Sequence, residues 1–263
     1  MTPPVAFAMA MASADLPLAV GPAMSSASFP SASLSSVSVS ASAMSSVAIL
    51  ISNPDQPSVD AALVRAARAA LANAGEPRWL ASGIAAEVPF ASGEEPGAVE
   101  ARLRGALEGR PVDVAVLPEA GRRKKLLLAD MDSTMIRQEC IDELADFVGL
   151  KAEVSQITER AMRGEIAFEP ALRERVALLK GLPLSVVDEI MASRITLMPG
   201  GQELLRTMKA HGAYTALVSG GFTLFTSRIG AMIGFDEDRA NILELDGETL
   251  AGRVRDPILG KEA

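Results

Sequence analysis

The distribution of hydrophobic residues divides the chain near residue 47. Residues 1–46 consist largely of Ala, Ser, Met and Pro, and Asp15 is the one charged residue among them. This composition predicts a low-complexity, disordered tail or an over-extended gene start, because it lacks the charged start of a secretory signal and the arginines of a transit peptide. No apolar run reaches the roughly 18 residues needed to cross a bilayer, so no membrane partner is expected.

From residue 47 onward, apolar runs alternate with amphipathic stretches. Patterns typical of strands and helices follow each other in the order βαββαβ: strand 47–52, helix 58–74, extended segment 79–90, helix 98–109 and strand 112–117. Gly75 ends the first of these helices. This order predicts a small α/β sandwich that forms a separate domain over residues 47–120.

A basic run at residues 121–125 predicts an exposed linker to a second domain, which covers residues 125–263. That domain begins with a short apolar run, residues 125–129, of the kind found in a parallel strand covered on both faces. Residues from about 136 to 195 are rich in helix-forming residues, and their apolar positions repeat with a period of 3.6 residues. A pattern typical of a central strand returns at residues 214–218. The pattern therefore predicts a helical insertion between two strands of an α/β domain.

Charge and cysteine content narrow the classes of partner. The net charge of −8 and the lack of a basic patch in the sequence argue against binding to a nucleic-acid backbone. Cys140 is the single cysteine, which excludes an internal disulfide and suits a reducing cytosol, so the predicted location is cytoplasmic. Because no histidine lies near Cys140 in the sequence, we interpret it as a small buried hydrophobic residue.

Polar residues follow both predicted strands of the second domain. Asp130 and Asp132 come directly after the first strand, and Ser219, Gly220 and Gly221 come after the second. Ligands bind at the carboxyl ends of strands in open α/β sheets, so the two polar segments could share one site. Each segment also has a structural interpretation, since Asp-x-Asp-Ser-Thr favours a turn with a helix cap and Ser-Gly-Gly favours a simple turn.

These segments resemble the first two motifs of the haloacid dehalogenase superfamily, an Asp-x-Asp-x-Thr after one strand and a Ser or Thr after the next. Further matches narrow the resemblance to the phosphoserine phosphatases of that superfamily: Glu139, residues 162–175 and residues 218–222. The resemblance covers roughly residues 125–263. It implies a Rossmann-like α/β core with a parallel sheet and a small helical cap.

The resemblance assigns the phosphoryl chemistry to Asp130 and Asp132. Asp130 would be the nucleophile that forms an aspartyl-phosphate, which splits hydrolysis into two displacements. Asp132 would protonate the departing serine oxygen and then activate the attacking water, and this double role requires a raised pKa. The side chain of Asp130 and the backbone carbonyl of Asp132 are also the implied ligands of Mg²⁺, which prefers oxygen donors.

The resemblance also assigns the substrate contacts. Ser219 and the amide of Gly220 would hydrogen-bond the phosphoryl oxygens. Glu139 would bind the ammonium group of an amino acid, and Arg175 would bind its carboxylate with a planar guanidinium. Without the resemblance, Glu139 is equally well an exposed helix residue, and Arg175 equally well part of a surface ion pair among Arg173, Glu174 and nearby charges.

Other positions match the family less completely. Met162 and Phe168 would form the apolar wall of the site, although ordinary core packing explains both equally well. The family's charge-screening lysine and its Gly-Asp-Gly-x-x-Asp-like metal loop have no clear counterpart, and Lys261 is a weaker candidate for the lysine. We therefore expect a chain truncated at its carboxyl end that is poorly active or inactive.

The implied function is hydrolysis of O-phospho-L-serine to L-serine and phosphate, the last step of serine biosynthesis. Two alternatives stay open: a phosphatase or phosphotransferase for another small phosphorylated amino acid, and a non-catalytic fragment that binds an amino acid. The order of elements in residues 47–120 resembles that of the amino-acid-binding ACT-like domains. This second resemblance implies regulation by an effector or formation of a homodimer.

Overall fold

The computed structural model describes residues 44–260 of the chain. The tail predicted for residues 1–46 lies almost entirely outside these residues, as does Lys261. The described residues divide into two compact units on either side of the boundary between Arg123 and Lys124, which we call the first unit and the second unit. Within the described residues, no helix is both long enough and apolar enough to cross a membrane.

The first unit contains the predicted βαββαβ order of elements. These are β1 Met44–Ser52, α1 Ala61–Ala69, β2 Arg78–Ala81, β3 Ala85–Ser92, α2 Pro96–Ala106 and β4 Val112–Pro118. Helix α1 begins later than predicted because the side chain of Asp60 accepts a hydrogen bond from the amide of Leu63 and caps the helix there. The extended segment predicted at 79–90 is two strands, separated by a turn in which Gly83 has a φ of 73°.

The four strands of the first unit form one antiparallel sheet in the order β2-β3-β1-β4. Alternate residues of the strands pack with apolar residues of both helices. This core includes Ala48, Leu50, Ala86, Val88, Val114 and Val116 from the strands, and Leu63, Val64, Val99 and Leu103 from the helices. The core of the first unit therefore lies between the sheet and its two helices.

Glu87 of β3 points away from this core. Its neighbours Ala86 and Val88 belong to the core, and successive side chains of a strand point to opposite faces. Glu87 is nevertheless only 3% exposed. Arg78 and Arg122 each place a guanidinium nitrogen 2.6 Å from its carboxylate. Two cations therefore neutralise this buried carboxylate.

The second unit is an α/β fold with a parallel sheet. Strands β5 Leu126–Ala129, β6 Tyr214–Phe222 and β7 Glu237–Asn241 pair in that order, and β8 Leu243–Asp246 and β9 Thr249–Val254 form a hairpin. The helices are α3 Cys140–Phe147, α4 Lys151–Met162, α5 Phe168–Ala177, α6 Ser185–Ser193, α7 Gly201–Ala210 and α8 Thr223–Ile233. The predicted Rossmann-like core with a parallel sheet is confirmed.

Helices α3 to α6 lie between β5 and β6 in the sequence, where the helical insertion was predicted. Ile136 and Leu197, at the two ends of this insertion, form a β-bridge with each other. The insertion and the sheet share one apolar core, whose members include Leu144, Leu172, Ile190, Leu217 and Phe222. The helices of the insertion are therefore packed onto the sheet.

The loop between α5 and α6 is also held by the hairpin. The amide of Gly181 donates to the carbonyl of Leu250 at 2.8 Å, and the amide of Leu184 donates to the carbonyl of Glu248 at 2.9 Å. In the opposite direction, the amide of Leu250 donates to the carbonyl of Leu182 at 2.9 Å. The insertion is therefore attached to the rest of the unit at this loop as well as at its two ends.

Strand β6 contains a bulge near its carboxyl end. Val218 pairs with Arg239 and Phe222 pairs with Asn241, so residues 219–221 lie opposite a single residue of β7. Bulges interrupt the ladder of a sheet and re-aim side chains next to active sites. The prediction of a turn after a strand is therefore corrected, because these three residues form a bulge within the strand.

Candidate active site

Polar residues gather at the carboxyl ends of β5 and β6. Asp130 directly follows β5, and the bulge at 219–221 lies near the end of β6. Because the two strands are parallel, these ends meet at one edge of the sheet. A pocket of about 210 Å³ opens there, lined by Asp130, Asp132, Glu139, Ile141, Phe168, Leu172, Arg175, Ser219, Gly220, Gly221 and Phe222. The structure thus brings all six predicted site residues to one pocket.

The loop after β5 is a tight turn around a buried methionine. The carbonyl of Met131 accepts hydrogen bonds from the amides of Thr134, Met135 and Ile136. Ser133, in the middle of the turn, has a φ of 53°, which is a left-handed conformation that residues other than glycine adopt less often. The buried Met131 side chain fixes the turn to the core, so that the residues on either side of it face the pocket.

The two aspartates of this loop have different surroundings. Asp130 is exposed, and the hydroxyl of Thr134 is 3.5 Å from its carboxylate. Asp132 is partly buried and accepts a hydrogen bond from the amide of Cys140 at 3.0 Å. Burial raises the pKa of Asp132 to about 6, the hydrogen bond from Cys140 opposes this shift, and the negative charges of Glu139 and Asp130 add to it. Asp132 can therefore exchange a proton near neutral pH, while Asp130 offers an open carboxylate.

Ser219 presents a hydroxyl to the pocket from within the sheet. Its side chain is 2% exposed, and its oxygen accepts a hydrogen bond from the amide of Gly221 at 2.9 Å. Among residues 44–260 the hydroxyl has no acceptor for its own proton, so this proton is available to an anion in the pocket. A side chain on Gly221 would begin 3.0 Å from the carboxylate of Asp132 and 3.1 Å from the Ser219 oxygen, so these two groups would have to shift to accommodate it.

Glu139 directly precedes α3, at the amino-terminal end of that helix. It is exposed, and its carboxylate accepts a hydrogen bond from the hydroxyl of Ser133 at 2.6 Å. The left-handed conformation of Ser133 therefore places a donor against this carboxylate. Glu139 is held within the pocket by this contact and remains open to a cation.

Arg175 enters the pocket from α5 of the insertion. Its guanidinium donates to the carbonyl of Ala171 and to the hydroxyl of Thr158, both at 3.2 Å. Burial lowers the pKa of Arg175, while the charges of Asp142 and Glu139 act in the opposite direction. No carboxylate within residues 44–260 forms an ion pair with Arg175, so the guanidinium keeps donors for an anionic ligand.

The neighbouring charges of α5 are paired elsewhere. Arg173 pairs with Asp256, and Glu174 pairs with Arg160. The alternative prediction, a surface ion pair of Arg175 among Arg173, Glu174 and nearby charges, is therefore wrong for the described residues.

The two predicted apolar residues have different positions. Phe168 lines the pocket, and its ring is 3.3 Å from where a side chain on Gly220 would begin and 3.4 Å from the same point on Gly260. Met162 is 85% exposed and does not line the pocket. The buried residues of α4 are Val154 and Ile157, and Met162 at the end of that helix projects into solvent. The prediction that Met162 forms part of the wall is therefore wrong.

Asn241 is a buried residue beside the pocket that sequence reasoning missed. It is the last residue of β7 and is 2% exposed. Its amide nitrogen donates to the carbonyl of Gly220 at 2.9 Å and to that of Leu259 at 3.3 Å, and its oxygen accepts from the amide of Leu259 at 2.7 Å. The one signal in the sequence is a polar side chain between Ala240 and Ile242.

The acidic residues suit part of a magnesium site. Among residues 44–260, no group of three or more His, Cys, Asp and Glu side chains has the arrangement of a metal site. Asp130 and the backbone of Asp132 still provide oxygen donors at the pocket. Mg²⁺ is commonly bound by one or two carboxylates, several waters and the phosphate of a substrate, and this donor set agrees with that pattern.

This fold and this site together define a class of protein. Its members have a Rossmann-like core, paired aspartates at the end of the first strand of the core, and a helical insertion that follows them. The family model of the haloacid dehalogenase-like hydrolases matches residues 127–263, which is more than half of the 263 residues. The chain belongs to this family.

Two curated relatives and one solved structure are similar to the chain. Phosphoserine phosphatase from Archaeoglobus fulgidus is 47% identical over 163 residues, which cover 61% of this chain and 47% of that protein. Phosphoserine phosphatase from a Polaromonas species is 50% identical over 133 residues, which cover 50% of this chain and 56% of that protein. A crystal structure of a HAD family hydrolase from Salmonella enterica serovar Typhi has a TM-score of 0.67 at 27% identity, and covers 81% of this chain and 73% of that chain. The chain spans about half the length of the curated relatives it matches.

Proposed function

We propose that the protein is a magnesium-dependent phosphoserine phosphatase, which hydrolyses O-phospho-L-serine to L-serine and phosphate through an aspartyl-phosphate. One observation carries the proposal, namely that four side chains with suitable chemistry line a single pocket. They are the exposed carboxylate of Asp130, the hydroxyl of Ser219, which can donate a hydrogen bond to phosphate, and the opposite charges of Glu139 and Arg175, which suit an amino-acid zwitterion. The names of the Archaeoglobus and Polaromonas relatives support the same substrate.

The first half-reaction transfers the phosphoryl group to Asp130. A carboxylate oxygen of Asp130 attacks phosphorus, the bond between phosphorus and the serine oxygen breaks, and Asp132 gives its proton to that oxygen. The hydroxyl of Ser219 and the amide of Gly220 donate hydrogen bonds to the phosphoryl oxygens. When bound by Asp130 and Asp132, Mg²⁺ would neutralise part of the phosphoryl charge.

The second half-reaction releases phosphate from Asp130. A water molecule attacks phosphorus, Asp132 accepts the proton of that water, and the bond between phosphorus and the Asp130 oxygen breaks. The pKa of Asp132, raised to about 6 by burial, suits a group that gives a proton in one step and takes one in the next. Asp132 therefore returns to its starting state after each turnover.

Glu139 and Arg175 select the amino-acid part of the substrate. The carboxylate of Glu139 would bind the ammonium group, and the guanidinium of Arg175 would bind the carboxylate with two parallel hydrogen bonds. Phe168 lies against Gly220, next to the position proposed for the phosphoryl group. A phosphate ester without both charges would leave one of these side chains unpaired in the pocket.

We make three further proposals, which concern the first unit, the place of the reaction in metabolism and the location of the protein in the cell. The antiparallel βαββαβ sheet of the first unit supports an ACT-like domain over residues 47–120 that binds an effector or forms a homodimer. The reaction would be the last step of serine biosynthesis, and it would take place in the cytoplasm. Sedimentation of the purified chain with and without L-serine tests the homodimer: a mass of one chain under both conditions would exclude it.

Phosphate release from O-phospho-L-serine tests the main proposal. The assay compares the chain with Asp130→Asn, each with Mg²⁺ and with EDTA, and includes a form that carries the lysine and acidic loop expected from the resemblance. We expect release, from the chain or from that longer form, only with Mg²⁺ and only when Asp130 is present, and the kinetic variants described below are made in the form that releases phosphate. If no form releases more phosphate than Asp130→Asn, the enzymatic function is excluded and an amino-acid-binding fragment becomes the better hypothesis.

Phosphoethanolamine, which lacks the carboxylate, tests the role of Arg175. Arg175→Met should lower kcat/KM for O-phospho-L-serine by about 100-fold, because a charged hydrogen-bonded pair is lost, and should change kcat/KM for phosphoethanolamine by less than about threefold. Arg173→Met, on the same helix, is the matched control. Equal losses on both substrates would contradict the assigned role.

A further inference from the structure

We propose that Asn241 is a positioning residue that orients the Ser219 hydroxyl toward the phosphoryl group. This inference deepens the proposed function and rests on it. Asn241 does not line the pocket, and it would act on a bound phosphate only through the bulge at 219–221.

The hydrogen bond from Asn241 to Gly220 fixes a peptide group. The carbonyl of Gly220 and the amide of Gly221 belong to the same planar peptide unit, so an atom that fixes the direction of the carbonyl also fixes the direction of the amide. Asn241 donates to this carbonyl at 2.9 Å. A bulge with two consecutive glycines is otherwise free to rotate, because glycine restricts the backbone least.

The amide of Gly221 in turn fixes the rotation of the Ser219 hydroxyl. It donates to the Ser219 oxygen at 2.9 Å and so occupies one acceptor position of that oxygen. A hydroxyl that accepts in one direction points its own proton in another, and the proton of Ser219 has no acceptor within residues 44–260. The chain of contacts from Asn241 through Gly220 and Gly221 therefore leaves this proton for a ligand in the pocket.

Burial explains why a carboxamide is suited to this position. Asn241 is 2% exposed, and its side chain makes one hydrogen bond to Gly220 and two to Leu259. The two hydrogen bonds to Leu259 would stabilise the fold without affecting the phosphoryl site. The bond to Gly220 is the one that reaches the phosphoryl site, so the two roles are separable by experiment.

A double-mutant cycle on phosphate affinity tests the inference. Inorganic phosphate is titrated calorimetrically, with Mg²⁺ present, into the chain, Asn241→Ser, Ser219→Ala and the double variant. We expect Asn241→Ser to weaken phosphate binding about tenfold in the original chain and less than twofold in the Ser219→Ala background, because the residue acts through that hydroxyl. Asn241→Thr, which keeps more side-chain volume, carries the same test if Asn241→Ser does not fold.

Two controls separate positioning from a general loss of structure. L-serine, which the pocket would bind through Glu139 and Arg175, should bind Asn241→Ser with an affinity within twofold of the original. Thr226→Val removes another buried hydrogen bond of the second unit, to Asp238, and should leave phosphate affinity unchanged.

The possible outcomes distinguish this inference from the proposed function. Unchanged phosphate affinity in Asn241→Ser, or the same loss with and without the Ser219 hydroxyl, overturns the inference alone. Failure of the original chain to bind either phosphate or O-phospho-L-serine overturns the proposed function, and the inference falls with it. A loss that depends on Ser219 and spares L-serine supports it.

Discussion

The two units each hold a buried or partly buried carboxylate, and the surroundings of the two groups are opposite. Glu87 in the first unit lies between the guanidinium groups of Arg78 and Arg122. Asp132 in the second unit has no basic partner within residues 44–260, and the charges that act on it are those of Glu139 and Asp130. A fold that keeps a buried charge neutralises it, whereas a charge left unpaired at a strand end is available to a proton, a cation or a substrate.

Removal of Arg122 should have the largest effect on stability, because the buried carboxylate of Glu87 then loses one of its two cationic partners. Arg122→Met leaves the buried carboxylate with Arg78 alone, whose side chain is 53% exposed. We expect the free energy of unfolding of the first unit to fall by about 3 kcal/mol, measured by urea unfolding. The exposed neighbour Arg123 is the matched control, and Arg123→Met should change the free energy of unfolding by less than about 0.5 kcal/mol. Equal effects of the two variants would contradict the assigned role of the pair.

The crowding around Asp132 gives the second prediction. A methyl group on Gly221 would lie 3.0 Å from the carboxylate of Asp132 and 3.1 Å from the Ser219 oxygen, so both groups must shift. Gly221→Ala should lower kcat for O-phospho-L-serine about 100-fold, because small misplacements of reacting groups have effects of this size. Gly105→Ala in α2, where an added methyl group meets nothing within 4 Å, should leave kcat unchanged. An active Gly221→Ala enzyme would show that the bulge can relax.

The unpaired state of Asp132 predicts a pH-dependent stability. Its pKa is raised in the folded state from 3.8 to about 6, chiefly by burial. At pH values between 3.8 and about 6, the folded protein therefore keeps a proton on Asp132 that the unfolded chain has lost. The stability that this proton gives is complete below about pH 4 and is lost as the pH rises through about 6. In EDTA, the free energy of unfolding of Asp132→Asn relative to that of the original chain should therefore be about 2 kcal/mol higher at pH 7.5 than at pH 4.5.

Unfolding by urea at both pH values measures this gain. EDTA is necessary because a bound cation would stabilise the charged form of Asp132 and reverse the sign. Asp246→Asn, which removes an exposed carboxylate of the hairpin, is the control for the loss of one negative charge. If the difference in the free energy of unfolding between Asp132→Asn and the original chain does not change with pH, the pKa of Asp132 is not raised in the folded state.

The smallest expected effect concerns the other acidic neighbour, Glu139. Ser133→Ala removes the 2.6 Å hydrogen bond to this carboxylate and should raise KM for O-phospho-L-serine about fivefold, with little change in kcat. Ser133→Gly removes the same bond but suits the φ of 53°, so it should show the same KM and be about 1 kcal/mol more stable than Ser133→Ala. Different KM values for the two variants would mean that the turn, and not the hydroxyl, positions Glu139.

Local features of the sequence predicted most of the fold and the site. Apolar runs and amphipathic stretches are contiguous, so they indicated the βαββαβ order of the first unit and the helical insertion of the second. Asp130 and Asp132 follow their strand directly, which is why a strand pattern and a short motif sufficed to place them. The family resemblance added Glu139 and Arg175, which local pattern alone left ambiguous.

Contacts between distant positions could not be predicted in the same way. Asn241 is 21 residues from Gly220 and 18 from Leu259, and no periodicity links them. Glu87 has the sequence position of an ordinary solvent-facing strand residue, since alternation does not reveal that two arginines will cover it. The bulge at 219–221 was interpreted as a turn because glycines are common to both.

The attachment of the α5–α6 loop to the hairpin has a consequence for protein engineering. A chimaera that exchanged only residues 136–197 with a relative would keep the bridge between Ile136 and Leu197, but would set a foreign loop against the backbone of β9. Gly252 adds a further demand, since any larger residue there would collide with Lys180 at 2.8 Å. The smallest module that can be transplanted intact therefore contains the insertion and the hairpin together, two segments that are not contiguous in the gene.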